Sequence, residues 1–180
     1  GLCLVGSEMC IRDSTKETRS YRLRLKGLDR GLQLVDTPGI LEAGDDGLSR
    51  EDQARRRAIR ADLLLVVVDG DLRASELAVV RSIADLGKRL LLVLNKRDLR
   101  GVDEEKQLLQ VLRSRCTGLL SQADVLACSA SPQSIPQTGR RPLQPKPDVN
   151  DLLQRLAAVL HAEGEDCLLY TSPSPRDRVQ

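Results

Sequence analysis

LLLVLNKRD, residues 90–98, is an uninterrupted apolar run that ends in an amide, cationic side chains and a carboxylate. The apolar part, residues 90–94, predicts a strand buried on both faces, as the strands of parallel α/β sheets are. In open α/β sheets, ligands bind just beyond the carboxyl ends of the strands. The polar residues from Asn95 to Asp98 are therefore the first candidates for a ligand-binding site.

A second uninterrupted apolar run, residues 63–68, lies between two aspartates, and residues 62–69 predict another buried strand. Between the two runs, residues 74–89 carry apolar side chains at near-helical spacing and predict a helix that stops at Gly87. A strand, a helix and a strand in this order form a parallel pair with a right-handed crossover. We expect a doubly wound α/β fold, with a mostly parallel sheet and helices on both faces. The remaining predicted elements of this half are helices at 103–113 and after Asp148, a strand at 124–127 and a proline-rich exposed loop at 131–147.

The amino-terminal part predicts a hairpin. Apolar and basic residues alternate over residues 21–25, which indicates a half-exposed strand. Two glycines and an aspartate within residues 26–31 predict a turn that folds this strand back, antiparallel, onto residues 32–35. The second strand runs into Asp-Thr-Pro-Gly at residues 36–39, so a second polar segment directly follows a strand.

Composition restricts the classes of partner. The chain has 180 residues, of which 41% are hydrophobic and 30% charged, so we expect one globular domain. Two tyrosines are its only aromatic residues and the net charge is +2, which disfavours a base-stacking or strongly basic nucleic-acid surface. We therefore infer no specific nucleic-acid partner. No apolar run reaches transmembrane length and no signal peptide is apparent, so we expect a cytoplasmic location.

The two ends differ in character from the rest. Residues 4–14 and 167–177 resemble two translations of a transposase-based sequencing adapter. We expect residues 1–14 and 167–180 to derive from that adapter and residues 15–166 to form the native domain. That domain keeps two cysteines, Cys116 and Cys128, which predict neither a disulfide framework nor a metal site.

Three polar segments carry a family resemblance. Asn95-Lys96-Arg97-Asp98 resembles the Asn-Lys-x-Asp motif with which P-loop GTPases read guanine, and residues 36–39 resemble their Asp-x-x-Gly motif. The form Asp-Thr-Pro-Gly is similar to that of the translation-factor-related, Era-like class. Ser129-Ala130, after a predicted strand, resembles the weaker third motif. Residues 69–76 and the proline-rich loop also resemble cyanobacterial GTPases that continue into a membrane-associated domain of unknown function.

The resemblance implies a role for each residue of the base-binding motifs. The Asp98 carboxylate would accept hydrogen bonds from guanine N1–H and the exocyclic amine, a pair that adenine does not offer. The Asn95 amide would tie the base to neighbouring loops, and the Lys96 stem would lie along the base. The backbone N–H of Ala130 would meet guanine O6, while Ser129 shapes its loop.

The resemblance also implies a phosphate and Mg²⁺ side. Asp36 would hold Mg²⁺ through water, and the backbone N–H of Gly39 would meet the γ-phosphate, with Thr37 and Pro38 completing this nucleotide-binding segment. Thr15 stands where the family has a threonine that ligates Mg²⁺ in the GTP state. Its alternative interpretation is an ordinary loop threonine.

One part of the family pattern is missing. No Gly-x-x-x-x-Gly-Lys-Ser/Thr occurs in the sequence, and the resemblance places that phosphate loop upstream of Thr15. In the family, the strand before the loop lies between the strands predicted at 32–35 and 62–69. We therefore expect a P-loop GTPase fold that lacks its first strand and P-loop, and an inactive fragment. Alternatively, residues 2–5 fill the empty slot by their composition.

The resemblance implies a GTP-binding protein that, at full length, hydrolyses GTP to GDP and switches conformation. Its cofactors would be GTP or GDP and Mg²⁺. The alternative is a non-hydrolysing guanine-nucleotide-binding interaction module, because Ile40 replaces the water-positioning glutamine of Ras-like enzymes. The basic helix predicted at 51–60 would then dock a partner. A protein or membrane partner would bind this switch region or a part beyond residue 166.

Overall fold

The computed structural model describes residues 2–6, 19–24, 32–37, 56, 59–139 and 141–170. Within them, a single sheet is built from β1 (Leu2–Gly6), β2 (Arg19–Leu23), β3 (Leu32–Thr37), β4 (Leu63–Val68), β5 (Arg89–Leu94) and β6 (Val125–Ala127). The spatial order is β2-β3-β1-β4-β5-β6. Only β2 and β3 are antiparallel, and every other neighbouring pair is parallel. The predicted hairpin and the predicted doubly wound sheet are confirmed.

The slot between β3 and β4 is filled. Strand β1 pairs in parallel with both, so that Leu4 lies opposite Asp36 on one side and Leu65 on the other. The expectation of a missing first strand is therefore wrong, and the alternative that residues 2–5 fill the slot is confirmed. The physical reason is composition, because a central position in a parallel sheet accepts any short run of apolar residues with strand propensity.

Three helices of the described chain pack on the sheet: α1 (Ala74–Ala84), α2 (Val102–Arg115) and α3 (Asn150–Tyr170). Helix α1 ends at Ala84, before the predicted stop at Gly87, because the chain turns at 85–87 and Gly87 adopts a left-handed φ of 66°. Helix α2 carries three acidic residues in its first turn and Arg113 and Arg115 in its last, the charge order that the helix dipole favours.

The core has two halves, one on each face of the sheet. Side chains of a strand alternate between faces, and all six residues of β4 are buried. One face packs against α1 and α2, and its most deeply buried members include Leu64, Val80, Ile83, Leu92 and Leu112. The other face packs against α3 and includes Leu65, Leu91, Val93, Leu156 and Val159. Burial on both faces explains why these strands are uninterrupted apolar runs.

The proline-rich segment that follows β6 contains neither helix nor strand over residues 131–139 and 141–147, as predicted. It is held by two isolated bridges, Ser129 with Asp148 and Ile135 with Leu143. Across the described residues, no helix combines the length and apolarity needed to cross a membrane. Several predictions concern residues outside those described: the threonine at 15, Pro38, Gly39, Ile40 and most of the helix predicted at 51–60.

Candidate functional site

The candidate site lies at the carboxyl edge of the sheet, where β4, β5 and β6 end side by side. Two backbone hydrogen bonds align the segments that leave these strands. The Asn95 N–H donates to the Val68 carbonyl at 2.7 Å, and the Arg97 N–H donates to the Cys128 carbonyl at 3.0 Å. The parallel topology therefore brings residues 95–98 next to residues 128–130, although some thirty residues separate them in sequence.

Asn95 connects the two segments through its side chain. The residue is 5% exposed, and its Oδ1 accepts a hydrogen bond from the Ala130 N–H at 3.1 Å. The Cys128 thiol lies 3.6 Å from the same oxygen. Burial raises the pKa of that thiol to about 11, so Cys128 is a protonated, buried side chain at neutral pH. The structure thus brings Asn95 and Ala130 together.

Asp98 is an exposed carboxylate with two donors from the segment after β6. The Ser129 hydroxyl donates to Oδ1 at 2.5 Å, and the Gln133 N–H donates to Oδ2 at 2.9 Å. The Ser129 hydrogen bond, followed by that of Gln133, holds the pKa of Asp98 below the ordinary aspartate value. A carboxylate has about four lone-pair positions, so each oxygen can still accept a hydrogen bond from a ligand.

Lys96 has an unusual backbone. Its φ of 62° and ψ of 37° lie in the left-handed region, at a cost of about 1–2 kcal/mol for a residue with a Cβ. The flanking Asn95 and Arg97 backbone hydrogen bonds hold it there. Its ammonium lies 3.0 Å from Oδ2 of Asp69, which directly follows β4. Lys96 therefore forms the turn between β5 and the 3₁₀ helix (Arg97–Leu99). It is also the residue whose side-chain stem the resemblance expects to lie along the base.

Two arginines that the sequence analysis did not single out shape this edge. Arg100 donates through Nη1 to the carbonyls of Asn95, at 2.7 Å, and Lys96, at 2.9 Å, and through Nη2 to the carbonyl of Asp69. Arg97 forms a two-pronged pair with Glu105, with both distances 2.9 Å. Two positive charges within and beside a polar motif could have marked Arg97 and Arg100 as candidates. Their hydrogen-bond partners could not be predicted, because these depend on how the loops fold.

The predicted phosphate side is described only in part. Asp36 and Thr37 are the last two residues of β3, whose carboxyl end lies at the same edge as Asn95 because the strands are parallel. Thr15, Pro38 and Gly39 lie outside the described residues. Elsewhere in the described part of the chain, no group of three or more histidine, cysteine or acidic side chains is arranged to hold a metal ion.

A doubly wound sheet with polar segments at its carboxyl edge has the architecture with which open α/β domains bind ligands such as nucleotides. The model of a family described as "50S ribosome-binding GTPase" matches residues 4–96, just over half of the chain. The chain belongs to this GTPase family.

Curated relatives share sequence with this chain, and a solved structure shares its fold. The chain is 28% identical over 160 residues to GTPase Der of Pseudothermotoga lettingae, covering 84% of the chain and 32% of the relative. It is 37% identical over 102 residues to the tRNA modification GTPase MnmE of Xanthomonas oryzae, covering 53% and 22%. The elongation factor SelB from Methanococcus maripaludis, solved with the GTP analogue GppNHp, shares the fold at TM-score 0.60 and 19% identity, over 89% of this chain and 33% of SelB. The chain spans about a third or less of these proteins.

Proposed function

We propose that this domain binds guanine nucleotides through residues 95–98 and 129–130, and that the whole protein hydrolyses GTP to GDP as a conformational switch. The observation that carries the proposal is the Asp98 carboxylate, which Ser129 and the Gln133 N–H hold at the carboxyl edge of the sheet. Family membership supports the same activity.

The chemistry of Asp98 supports guanine over adenine. Its lowered pKa keeps it ionised, and an anion accepts hydrogen bonds but donates none. Guanine presents two donors side by side, N1–H and the exocyclic amine. Adenine presents an acceptor at N1, which would face the carboxylate lone pairs. A charge-assisted hydrogen bond contributes roughly 1.5–3 kcal/mol, so the difference between the two bases should exceed tenfold in affinity.

The finer assignments extend this proposal. Mg²⁺ would be held by Asp36, with Thr15 joining it in the GTP state. The resemblance of residues 36–39 supports membership of the Era-like class. Residues 15–166 would be the GTPase domain, and the natural gene would carry the phosphate loop upstream of Thr15. A protein or membrane partner would bind the basic segment at 50–60, which supplies five arginines.

A direct test compares binding of fluorescent GDP and ADP to the chain and to Asp98→Ala. We expect at least a tenfold preference for GDP that the substitution removes. Asp85→Ala is the matched control, because this exposed aspartate lies at the end of α1, at the opposite edge of the sheet, before β5. Equal affinities for GDP and ADP in the unmodified chain would contradict the proposal.

A second experiment separates the switch enzyme from the non-hydrolysing module. The gene is recovered from source DNA across the region before Thr15, and GTP turnover is measured on its product. An upstream phosphate loop with measurable turnover supports the enzyme. Guanine-selective binding without the loop and without turnover supports the interaction module.

A further inference from the structure

The first base-binding motif, residues 95–98, contains one side chain that contacts three other parts of the chain at once. Arg97 projects from the 3₁₀ helix that follows β5, and its side chain is 30% exposed. Its Nε and Nη2 donate to the two carboxylate oxygens of Glu105, in the first turn of α2, each at 2.9 Å. This planar, two-pronged geometry fixes the direction of the guanidinium.

The remaining guanidinium nitrogen points to the second base-binding segment. Nη1 lies 3.1 Å from Oδ2 of Asp148 and 3.5 Å from Oδ2 of Asp151. The backbone of Asp148 exchanges two hydrogen bonds with Ser129, at 2.8 and 2.9 Å. The Arg97 N–H also donates to the carbonyl of Cys128, the residue before Ser129. One residue thus holds residues 95–98 against residues 128–130 through both its backbone and its side chain.

Three carboxylates surround the Arg97 guanidinium. Glu105 is 14% exposed, and Asp148 and Asp151 are 50% and 58% exposed. Hydrogen bonding to Glu105 raises the pKa of Arg97 above the ordinary arginine value, so the cation persists at every working pH. The two-pronged pair with Glu105 and the contact with Asp148 give this cation a geometric role.

We infer that Arg97 is a positioning residue that sets base selectivity, by fixing Ser129 against Asp98 through Asp148. Arg97 does not itself contact the base. Its effect passes through the 2.5 Å hydrogen bond from the Ser129 hydroxyl to Asp98. Loosening the Ser129 segment lets the Asp98 carboxylate rotate, and the two hydrogen bonds to guanine are then no longer aligned together. The inference rests on the proposed guanine binding.

The test compares affinities for GDP and IDP, because hypoxanthine lacks only the exocyclic amine that guanine offers to Asp98. We expect the unmodified chain to prefer GDP about tenfold, and Arg97→Gln to reduce that ratio by about threefold or more. Asp148→Asn should reduce it as well, since it removes the carboxylate that links Arg97 to the Ser129 segment. A general loss of folding lowers both affinities equally and leaves the ratio unchanged.

Arg155→Gln is the matched control. Arg155 is also an ion-paired arginine, 27% exposed, but it binds Asp124 at the opposite edge of the sheet. Its substitution should leave the GDP to IDP ratio at the unmodified value. A second readout needs no nucleotide: the backbone amides of Ser129 and Asp148 should exchange with solvent about tenfold faster in Arg97→Gln.

The outcomes distinguish a failure of the Arg97 role from a failure of guanine binding itself. A reduced ratio with faster exchange at Ser129 and Asp148 supports the role of Arg97. An unchanged ratio or unchanged exchange in Arg97→Gln, in a chain that prefers GDP to ADP, overturns the role of Arg97 alone. A chain without preference for GDP over ADP overturns the proposed function, and this role with it.

Discussion

The Ser129 hydroxyl donates a hydrogen bond to Oδ1 of Asp98 over 2.5 Å, although 31 residues separate the two in the chain. The pair meets because β5 and β6 are parallel neighbours whose carboxyl ends open at the same edge. Ser129 is itself 3% exposed and its backbone is paired with Asp148. A buried, fixed donor therefore orients an exposed carboxylate.

Removing that donor should loosen Asp98. In Ser129→Ala we expect the preference for GDP over ADP to fall by about threefold, because the carboxylate keeps its charge but loses one of two orienting hydrogen bonds. Fluorescent-nucleotide binding measures the ratio. Ser134→Ala, at an exposed serine of the same segment, is the control and should keep the full preference. An undiminished ratio in Ser129→Ala would show that the hydroxyl has no orienting role.

The pH dependence follows from the lowered pKa of Asp98. A carboxyl with a lowered folded pKa contributes stability, and here ligand binding, above its unfolded pKa, and loses both as the pH falls through its folded pKa. We therefore expect guanine preference to persist down to the ordinary aspartate value and to disappear only below it. Binding of GDP and ADP measured from pH 7 downward tests this. Loss of the preference near pH 5 to 6 would contradict a carboxylate stabilised by Ser129.

The left-handed backbone of Lys96 predicts a reversal of the usual stability order. Glycine ordinarily lowers stability relative to alanine, by roughly 0.5–1 kcal/mol. At a φ of 62° alanine carries a penalty of about 1–2 kcal/mol that glycine avoids. Both Lys96→Gly and Lys96→Ala remove the Asp69 ion pair, so their difference isolates the backbone. Urea denaturation should show Lys96→Gly to be the more stable variant, and the opposite order would contradict the described turn.

A second acidic residue separates stability from recognition. Asp124 is 3% exposed and pairs with Arg155 at 2.9 Å and Arg89 at 3.4 Å, at the amino edge of β5 and β6. We expect Asp124→Asn to lower the free energy of unfolding by about 2 kcal/mol, less than a fully buried pair costs, because Arg89 is 43% exposed.

The control for this substitution is Asp71→Asn. Asp71 is 40% exposed and pairs with Arg115, so its loss should cost about 1 kcal/mol or less. In Asp124→Asn the GDP to ADP ratio should stay unchanged, since the substitution lies at the edge opposite to Asp98. A selective loss of guanine binding would show that the two edges are coupled.

The main elements follow from the amino-acid sequence because buried parallel strands require uninterrupted apolar runs. The apolar runs at 63–68 and 90–94 therefore marked β4 and β5, and the polar residues after them marked the edge where ligands bind. The role of β1 was not decided by sequence, since Leu2–Gly6 has the composition of a strand but none of the family's polar motifs.

Other features depend on how the loops fold. The Gln133 N–H that binds Asp98 belongs to no motif, because any residue type supplies a backbone donor. The partners of Arg97 range from Glu105 to Asp151, and the meeting of Arg97 with Asp148 and Asp151 depends on the conformation of the segment after β6. The left-handed backbone of Lys96 has no signal in its residue type, since lysine rarely adopts it.

The central claim is that Asp98 and its neighbours read guanine. The most direct measurement is an amide NMR titration of the chain with GMP and with AMP, which needs no phosphate loop. In the ligand-free chain the Gln133 N–H donates to Asp98 and the Ala130 N–H donates to Asn95. We predict that GMP shifts the NMR resonances of both amides and that AMP leaves them unchanged. Identical shifts with GMP and AMP, or shifts confined to other amides, would contradict it.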